Sequence, residues 1–418
     1  MVPNGWGFKK LSELACSSKN SFAIGPFGSD LVMSDYRNEG TPIVFVRDIK
    51  RGAFNWVSNT FVDIEKAESL KAHSVRSGDI TITKMGLPPG VAAVYPKSMP
   101  DGVVTADIIR LRLDTENYDA NFICLLLNSY DVSKQVKLRT AGQTRPKLTL
   151  KDYKSIGVCL PKLDEQRKIA QILSTWDRGI TTTEKLIDVS KQQKKALMQQ
   201  LLTGKKRLVD PETGKAFEGE WETIKIKSIF KAKTKRAKEN SYTTYSVTKN
   251  GIVSQEDYFN KSVASQDTSN YKVIEFGDFV MSGLNFWMGS VDIYLNNTKG
   301  IISPAYKTFS VSDNADLKFM YHFVRSDKFN QILVDSSIVG ASVVRRNFNS
   351  DVFFNWGIGL PSIREQQKIT SVLTAADKDI ELLEAKLAHF KQEKKALMQQ
   401  LLTGKKRVNL AQTMEVTV

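Results

Sequence analysis

A chain of 418 residues has room for two or three domains, and 41% hydrophobic with 9% aromatic residues are enough to bury real cores. No apolar run is long enough to span a bilayer, and residues 1–10 lack the apolar core of a signal peptide, so a cytoplasmic address and no membrane partner are expected. The formal net charge of +15 calls for an acidic partner, and without a basic amphipathic helix or a lipidation motif, nucleic acid is favoured over an anionic membrane.

In chain order, a block of mixed character comes first, expected as a domain over 1–160, with short strands at 43–46, 80–83 and 108–113 and a short apolar helix at 121–129. Apolar positions then recur by fours and threes: Ile169, Leu173, Trp176, Ile180, Thr183, Ile187, Ser190, Lys194, Leu197 and Leu201. A seam sustained over that many heptads is the pattern of a coiled coil, here expected over 161–207, with a Leu-Pro before it and Thr203-Gly204 closing it. Residues 205–219 read as a linker by their Pro, Gly and charge content. A second block follows over 208–360 with a short helix at 318–326, then a second heptad helix over 361–407 and a tail over 408–418. Its seam is Ile369, Leu373, Ala376, Ile380, Leu383, Leu387, Phe390, Lys394, Leu397 and Leu401.

The chain is thus an internal repeat. Residues 194–207 and 394–407 both read KKALMQQLLTGKKR, and LPxxxEQxKIxxxLxxxDxxI recurs from Leu160 and from Leu360. The blocks are copies too, more diverged: Gly52, Gly78-Asp79, Gly90, Gly102, Gly142 and Gly157 find counterparts in Gly251, Gly277-Asp278, Gly289, Gly300, Gly340 and Gly357. About 40 helical residues make a rod of roughly 60 Å. The linker is too short to return along such a rod, which favours antiparallel pairing. The expected fold is α+β: two β-rich mixed domains in a pseudo-two-fold arrangement, separated by an antiparallel coiled coil of two long helices. Met198 and Leu202, with their equivalents, fall outside the seam and are expected to offer two equal docking surfaces to a second protein.

Catalytic constellations are missing from the sequence. There is no Walker loop, no G-x-G-x-x-G, no nucleophile elbow and no Asn-Pro-Pro-Tyr loop. His73, His322 and His389 are isolated, and Cys16, Cys124 and Cys159 have neither disulfide count nor metal spacing, so no metal site and no catalytic residue are expected. The molecule is expected to bind rather than react.

With these features assembled, the chain resembles the specificity (S) subunit of a type I restriction-modification enzyme over nearly its whole length. The resemblance rests on two diverged domains each followed by a conserved helix, on LPxxxEQ opening and LLTGKKR closing both helices, and on the stretches IGPFGS from Ile24, GDITITK from Gly78 and GIISPAY from Gly300. It implies that each domain reads one half of a split target in double-stranded DNA and that the helices set the gap. It also implies two methyltransferase subunits docked on the helices and restriction-translocase subunits joining them. No cofactor is then expected in this chain; S-adenosylmethionine, ATP and Mg are expected in the partners. Because the domains diverge more than the helices, the half-sites should differ.

Phosphate contacts come mostly from Lys and Arg, and base readout from Arg, Lys, Asn and Gln. Polar loops beside the repeated glycines supply the DNA-binding candidates: Lys84, Arg139, Gln143, Thr144, Arg145 and Lys147 in the first domain, and Lys233, Lys235, Arg236, Asn285, Trp287, Arg345, Arg346 and Asn347 in the second. The alternative reading is a non-catalytic coiled-coil scaffold tethering two protein-binding domains. A further rival, a fragment of a fused restriction enzyme, would need the cofactor loop that the sequence lacks.

Overall fold

Each block begins and ends on one two-stranded pair. Gly7–Lys10 runs antiparallel to Gly157–Leu160, and Glu222–Lys225 runs antiparallel to Gly357–Leu360. The entry and exit of each domain therefore lie side by side, where the long helix starts. The computed structural model describes residues 2–86, 88–140, 146–237, 242–259, 267–342 and 345–410. Contacts divide the chain into two units, Met1–Thr183 with Lys386–Val418, and Glu184–Ala385. The division cuts both long helices, so each unit holds one β-rich domain, half of the first helix and half of the second.

In the first unit a four-stranded antiparallel sheet is ordered Phe22–Ile24, Ile108–Leu111, Ile80–Thr83, Ala92–Val94. Ile80 and Ile82 face the main core with Ile109, Leu111 and Phe122, while Ala93 and Ile108 face a second core with Val44, Val75, Tyr95 and Val104. Both faces are covered, which is why residues 80–83 are buried without alternation. Val44 and Val104 belong to the second four-stranded sheet, in which Thr41–Val44 and Gly102–Val104 pair in parallel.

The second unit repeats the plan. Phe230–Ala232, Lys307–Val311, Asp278–Met281 and Val291–Ile293 form the antiparallel sheet, and Thr243–Thr248 lies parallel to Gly300–Ile302 in the other. Phe279 and Met281 face the large core while Val280 and Tyr294 face the small one. The predicted short helices occupy Ala120–Leu127 and Leu317–Val324, one residue earlier than expected because Asp119 and Asp316 cap them, accepting from Phe122 N and Phe319 N. A second capped helix follows each, Tyr130–Arg139 after Ser129 and Asp327–Asp335 after Ser326.

The long helices run Leu163–Leu201 and Ile363–Leu401, each 39 residues. Every predicted seam position is buried or half-buried in both. In the first unit Trp176 meets Phe390 edge to face at 5.6 Å, Lys394 is ion-paired to Asp177, and Arg407 makes a two-pronged pair with Glu165, Nε to Oε1 and Nη2 to Oε2 both 2.6 Å. The second unit matches this with Lys194 on Asp377 and with Arg207 on Glu365 at 2.6 and 2.7 Å. In both units numbers rise along one helix as they fall along the other, so the pairing is antiparallel.

Both recurring motifs gain a reason here. The Glu of LPxxxEQ is the buried partner of the Arg that ends LLTGKKR in the opposite repeat. The Gln ties the helix start to the short helix: Gln166 Nε2 donates to Pro161 O at 2.9 Å and its Oε1 accepts from Asp119 N at 3.0 Å, as Gln366 does with Pro361 O and Asp316 N, both at 2.8 Å. Gly204 and Gly404 close the helices in the left-handed region, at φ +72° and +68°.

The leucines of the two expected docking surfaces are covered. Leu402 is buried in the first unit's main core and Leu202 in the second's, and Met398 and Met198 pack against those same cores. Each helix end packs against a domain core, so positions outside the heptad seam meet that core there. Truncating Leu402 or Leu202 to Ala should cost ~2–5 kcal/mol, the usual range for a buried Leu. Urea unfolding checks it, and a loss within experimental error would contradict the packing.

His322 is a difference between the units. It is 2% exposed, with Nε2 3.4 Å from Thr374 Oγ1 and Nδ1 3.9 Å from Asp377. Burial first, then nearby Lys194 and Arg325, push its pKa down to about 4 against the opposing pull of Asp377 and Asp316. An unfolded His titrates near 6.5, so between these values the unfolded chain binds more protons, and stability is lost as pH falls from about 6.5 to about 4. His322→Leu, matching Leu125 of the first domain, should remove this loss. Unfolding titrations at neutral pH and near pH 5 should show the wild type weakening relative to the variant; an unchanged difference would contradict the assignment.

Candidate nucleic-acid interface

Loops gather at one end of each antiparallel sheet. In the first unit Gly25 N donates to Ile108 O, and a Cβ at Gly25 would come within 2.1 Å of Thr105 O, so only glycine lets this loop approach. The loop then presents Phe27, 73% exposed. Lys84 N donates to Asp107 O at 2.7 Å and its Nζ to Ala106 O at 3.4 Å, while Met85 is bridged to Lys147 and Leu148 N donates to Lys84 O at 3.0 Å. Residues 25–30, 84–86, 88–90, 105–107 and 146–148 therefore form one surface. Lys147 is exposed on it and Lys84 is half-buried. Arg139 ends its helix, half-buried, with Nη1 on Gln135 O at 3.1 Å. Gln143, Thr144 and Arg145 lie outside the described residues.

The matching surface of the second unit is formed by residues 282–290 and the hairpin Ser337–Ser342 with Arg345–Phe348. Ser282 Oγ accepts from Asn285 N at 3.1 Å, starting a turn that passes through Phe286–Met288 and ends at Gly289, φ +84°. Asn285 and Asn347 are exposed and Trp287 is half-buried. The Arg346 guanidinium lies over the Trp287 ring at 4.4 Å, and its Nη1 donates to Ser337 Oγ at 3.1 Å. The structure thus brings together two residues that the sequence offered separately. Arg345 pairs with Ser342 through its backbone, and its side chain is outside the described residues.

Lys233, Lys235 and Arg236 belong to a different environment. Lys233 Nζ donates to Asp278 at 2.6 Å and to Glu275 at 2.8 Å, and Lys235 stands 3.5 Å from Glu275. Lys233, then Lys299, hold the Glu275 carboxyl down at about 2. Lys233 therefore spends its charge inside its own domain, whereas Lys235 and Arg236 are exposed, Arg236 with Nη1 on Asn270 O at 3.1 Å. The repeated Gly-Asp explains the cluster. Asp278 accepts from Glu275 N at 2.7 Å as buried Asp79 accepts from Arg76 N at 3.0 Å, and Asp79 takes Arg112 in two bonds of 2.8 and 2.9 Å. These aspartates are struts of the sheet, not readers.

Nothing among these groups resembles a reacting centre. Burial pushes the Cys124 thiol up to about 12. Among the described residues no cluster of His, Cys, Asp and Glu is arranged to hold a metal ion, and no helix is long and apolar enough to cross a membrane. The arrangement offers donors on protruding loops, suited to binding a polyanion and reading its edges.

Comparisons with known proteins agree. The profile of the family described as Type I restriction modification DNA specificity domain matches residues 3–191 and 218–392. The chain is 26% identical over 382 residues to the type I restriction enzyme MjaVIII specificity subunit of Methanocaldococcus jannaschii, covering 84% of each. Its fold is similar to the crystal structure of the HsdS subunit from Thermoanaerobacter tengcongensis, with a TM-score of 0.52 at 16% identity over 97% of this chain and 98% of that one. It is likewise similar to the type I restriction-modification S subunit from M. genitalium, with a TM-score of 0.54 at 14% identity over 96% of this chain and 99% of that one.

Proposed function

Because the chain belongs to the family of type I restriction-modification DNA specificity subunits, we propose that it reads a bipartite, asymmetric target with a fixed spacer, one half-site per domain, and directs methylation and restriction by partner subunits to that target. DNA sequence specificity is the role of the family. The observation that carries the finer reading is a contrast within the repeat. Sheets, caps and helix clamps are the same in both units, while the loops at the sheet ends differ: Pro88, Pro146 and Lys147 stand where the second unit has Trp287, Arg346 and Asn347. A shared frame with unlike loops suits two readers of unlike sequences.

The chain supplies the address and the partners the chemistry. Two methyltransferase subunits carrying S-adenosylmethionine, and restriction-translocase subunits carrying ATP and Mg, are the partners this reading requires, one methyltransferase for each copy of the helix motif. Native mass spectrometry should find two methyltransferase copies per chain; one copy at saturation would contradict this. Binding to target DNA should weaken steeply with salt, log affinity against log salt falling by about 0.9 for each phosphate contacted. A complex that holds its DNA equally well at low and high salt would return the scaffold reading.

A further inference from the structure

Among the described residues of the second unit two arginines stack on aromatic rings, and they differ in one respect. Arg325 lies over Tyr321 at 3.9 Å and also donates to both oxygens of Asp292, at 2.8 and 2.6 Å. It is a structural arginine with its fork filled. Arg346 lies over Trp287 at 4.4 Å and donates to the Ser337 hydroxyl, but no carboxylate meets it among the described residues. Arg112, Arg207 and Arg407 likewise each grip a carboxylate. Arg346 is held in place through its ring contact and Nη1, and among the described residues its Nε and Nη2 have no acceptor.

A side chain that only neutralises a phosphate needs no such holding, since any approach of the charge will serve. A side chain that reads a base must present its planar fork at one angle, and the pair of acceptors that matches an arginine fork most often is O6 and N7 of guanine. The supports are also particular to this domain. Pro146 and Pro88 stand at the positions matching Arg346 and Trp287, although the flanking helix caps Thr149 and Asn349 and the turn glycines Gly90 and Gly289 are kept. Ring and arginine are replaced together, as a reading element that differs between half-sites would be.

We propose that Arg346, held between the Trp287 ring and the Ser337 hydroxyl, reads a guanine edge in the half-site of the second domain. This rests on the reading of one half-site per domain. The test is selection from a library of duplexes randomised over the whole target, by the full chain with its partner subunits, for the wild type, Arg346→Ala and Arg346→Lys. Lys keeps the charge and loses the fork. Both variants should lose roughly tenfold or more of the discrimination at a single guanine in one half-site, keep every other position, and keep the salt slope of the wild type. Thermal unfolding of Arg346→Lys within a degree or two of the wild type confirms that the loss is not misfolding. Uniform weakening with an unchanged motif would assign Arg346 to phosphate or to structure and overturn the proposal, as would an unchanged preference. A wild type that selects one undivided motif overturns the half-site reading itself, a result distinct from a divided motif that the variants leave intact.

Discussion

Replacing residues 20–140 with the matching stretch of a relative should change one half-site of the DNA target and leave the other as it was. The graft removes the loops around Phe27 and Lys84 together with the first unit's antiparallel sheet, but leaves the clamp of Glu165 by Arg407 and the contact of Gln166 with Pro161 O. It includes Asp119, whose link to Gln166 is a backbone N–H that any relative also supplies. The second unit is built on its own sheets and its own clamp of Glu365 by Arg207, and the graft touches neither. The expected effect is large, because specific sites are bound about 10³ to 10⁷ times more tightly than other DNA, and the old target should lose most of that margin. Selection of bound duplexes measures it. A graft that altered both half-sites together would show that the domains do not read independently.

Lengthening the two long helices should keep both half-sites and lengthen the spacer between them. The place for the insertion follows from packing. Between Leu202 and Lys205, just past the heptad seam, Leu202 is buried and Gly204 turns back against Trp221, where an added Cβ would lie 3.3 Å from the ring, so added residues there would undo the helix end. Thr182 and Leu382 are exposed and lie beside the division between the units. Four residues added after each extend a helix by ~6 Å, the rise of one to two base pairs at ~3.4 Å each. Four is also a stutter in the heptad pattern, which unwinds the supercoil locally and supplies some of the roughly 35° by which each added base pair turns the half-site. The expected outcome is recognition of the same half-sites with a spacer longer by one or two base pairs. An unchanged spacer at full activity would mean that the gap is not set by the helices.

The frame was legible in sequence because it is written in local periods and in repetition. The seam from Ile169 to Leu201, the glycine stops and the Gly-Asp turns all declare themselves within a few residues. Long-range chemistry did not. That Glu165 of one motif grips Arg407 of the other is invisible until the helices are antiparallel, although the recurrence of both motifs was the signal. Met198 and Leu202 were misread because heptad counting finds only the face turned to the other helix, whereas a domain core covers another face of the same helix end. For the candidate interface, charge pointed equally to Lys233 and Arg346. Their partners separated them, since Lys233 had neighbouring carboxylates to satisfy and Arg346 a ring and a hydroxyl.

The central claim is that one chain reads two unlike half-sites across a fixed gap. Mapping modified bases across the genome of a host with and without this gene, its partner subunits present in both, tests it most directly. The account predicts that a single bipartite motif, with two different halves and an unread gap of constant length, is modified only when the gene is present. The same modified sites with and without the gene, or one undivided palindromic motif, would contradict it.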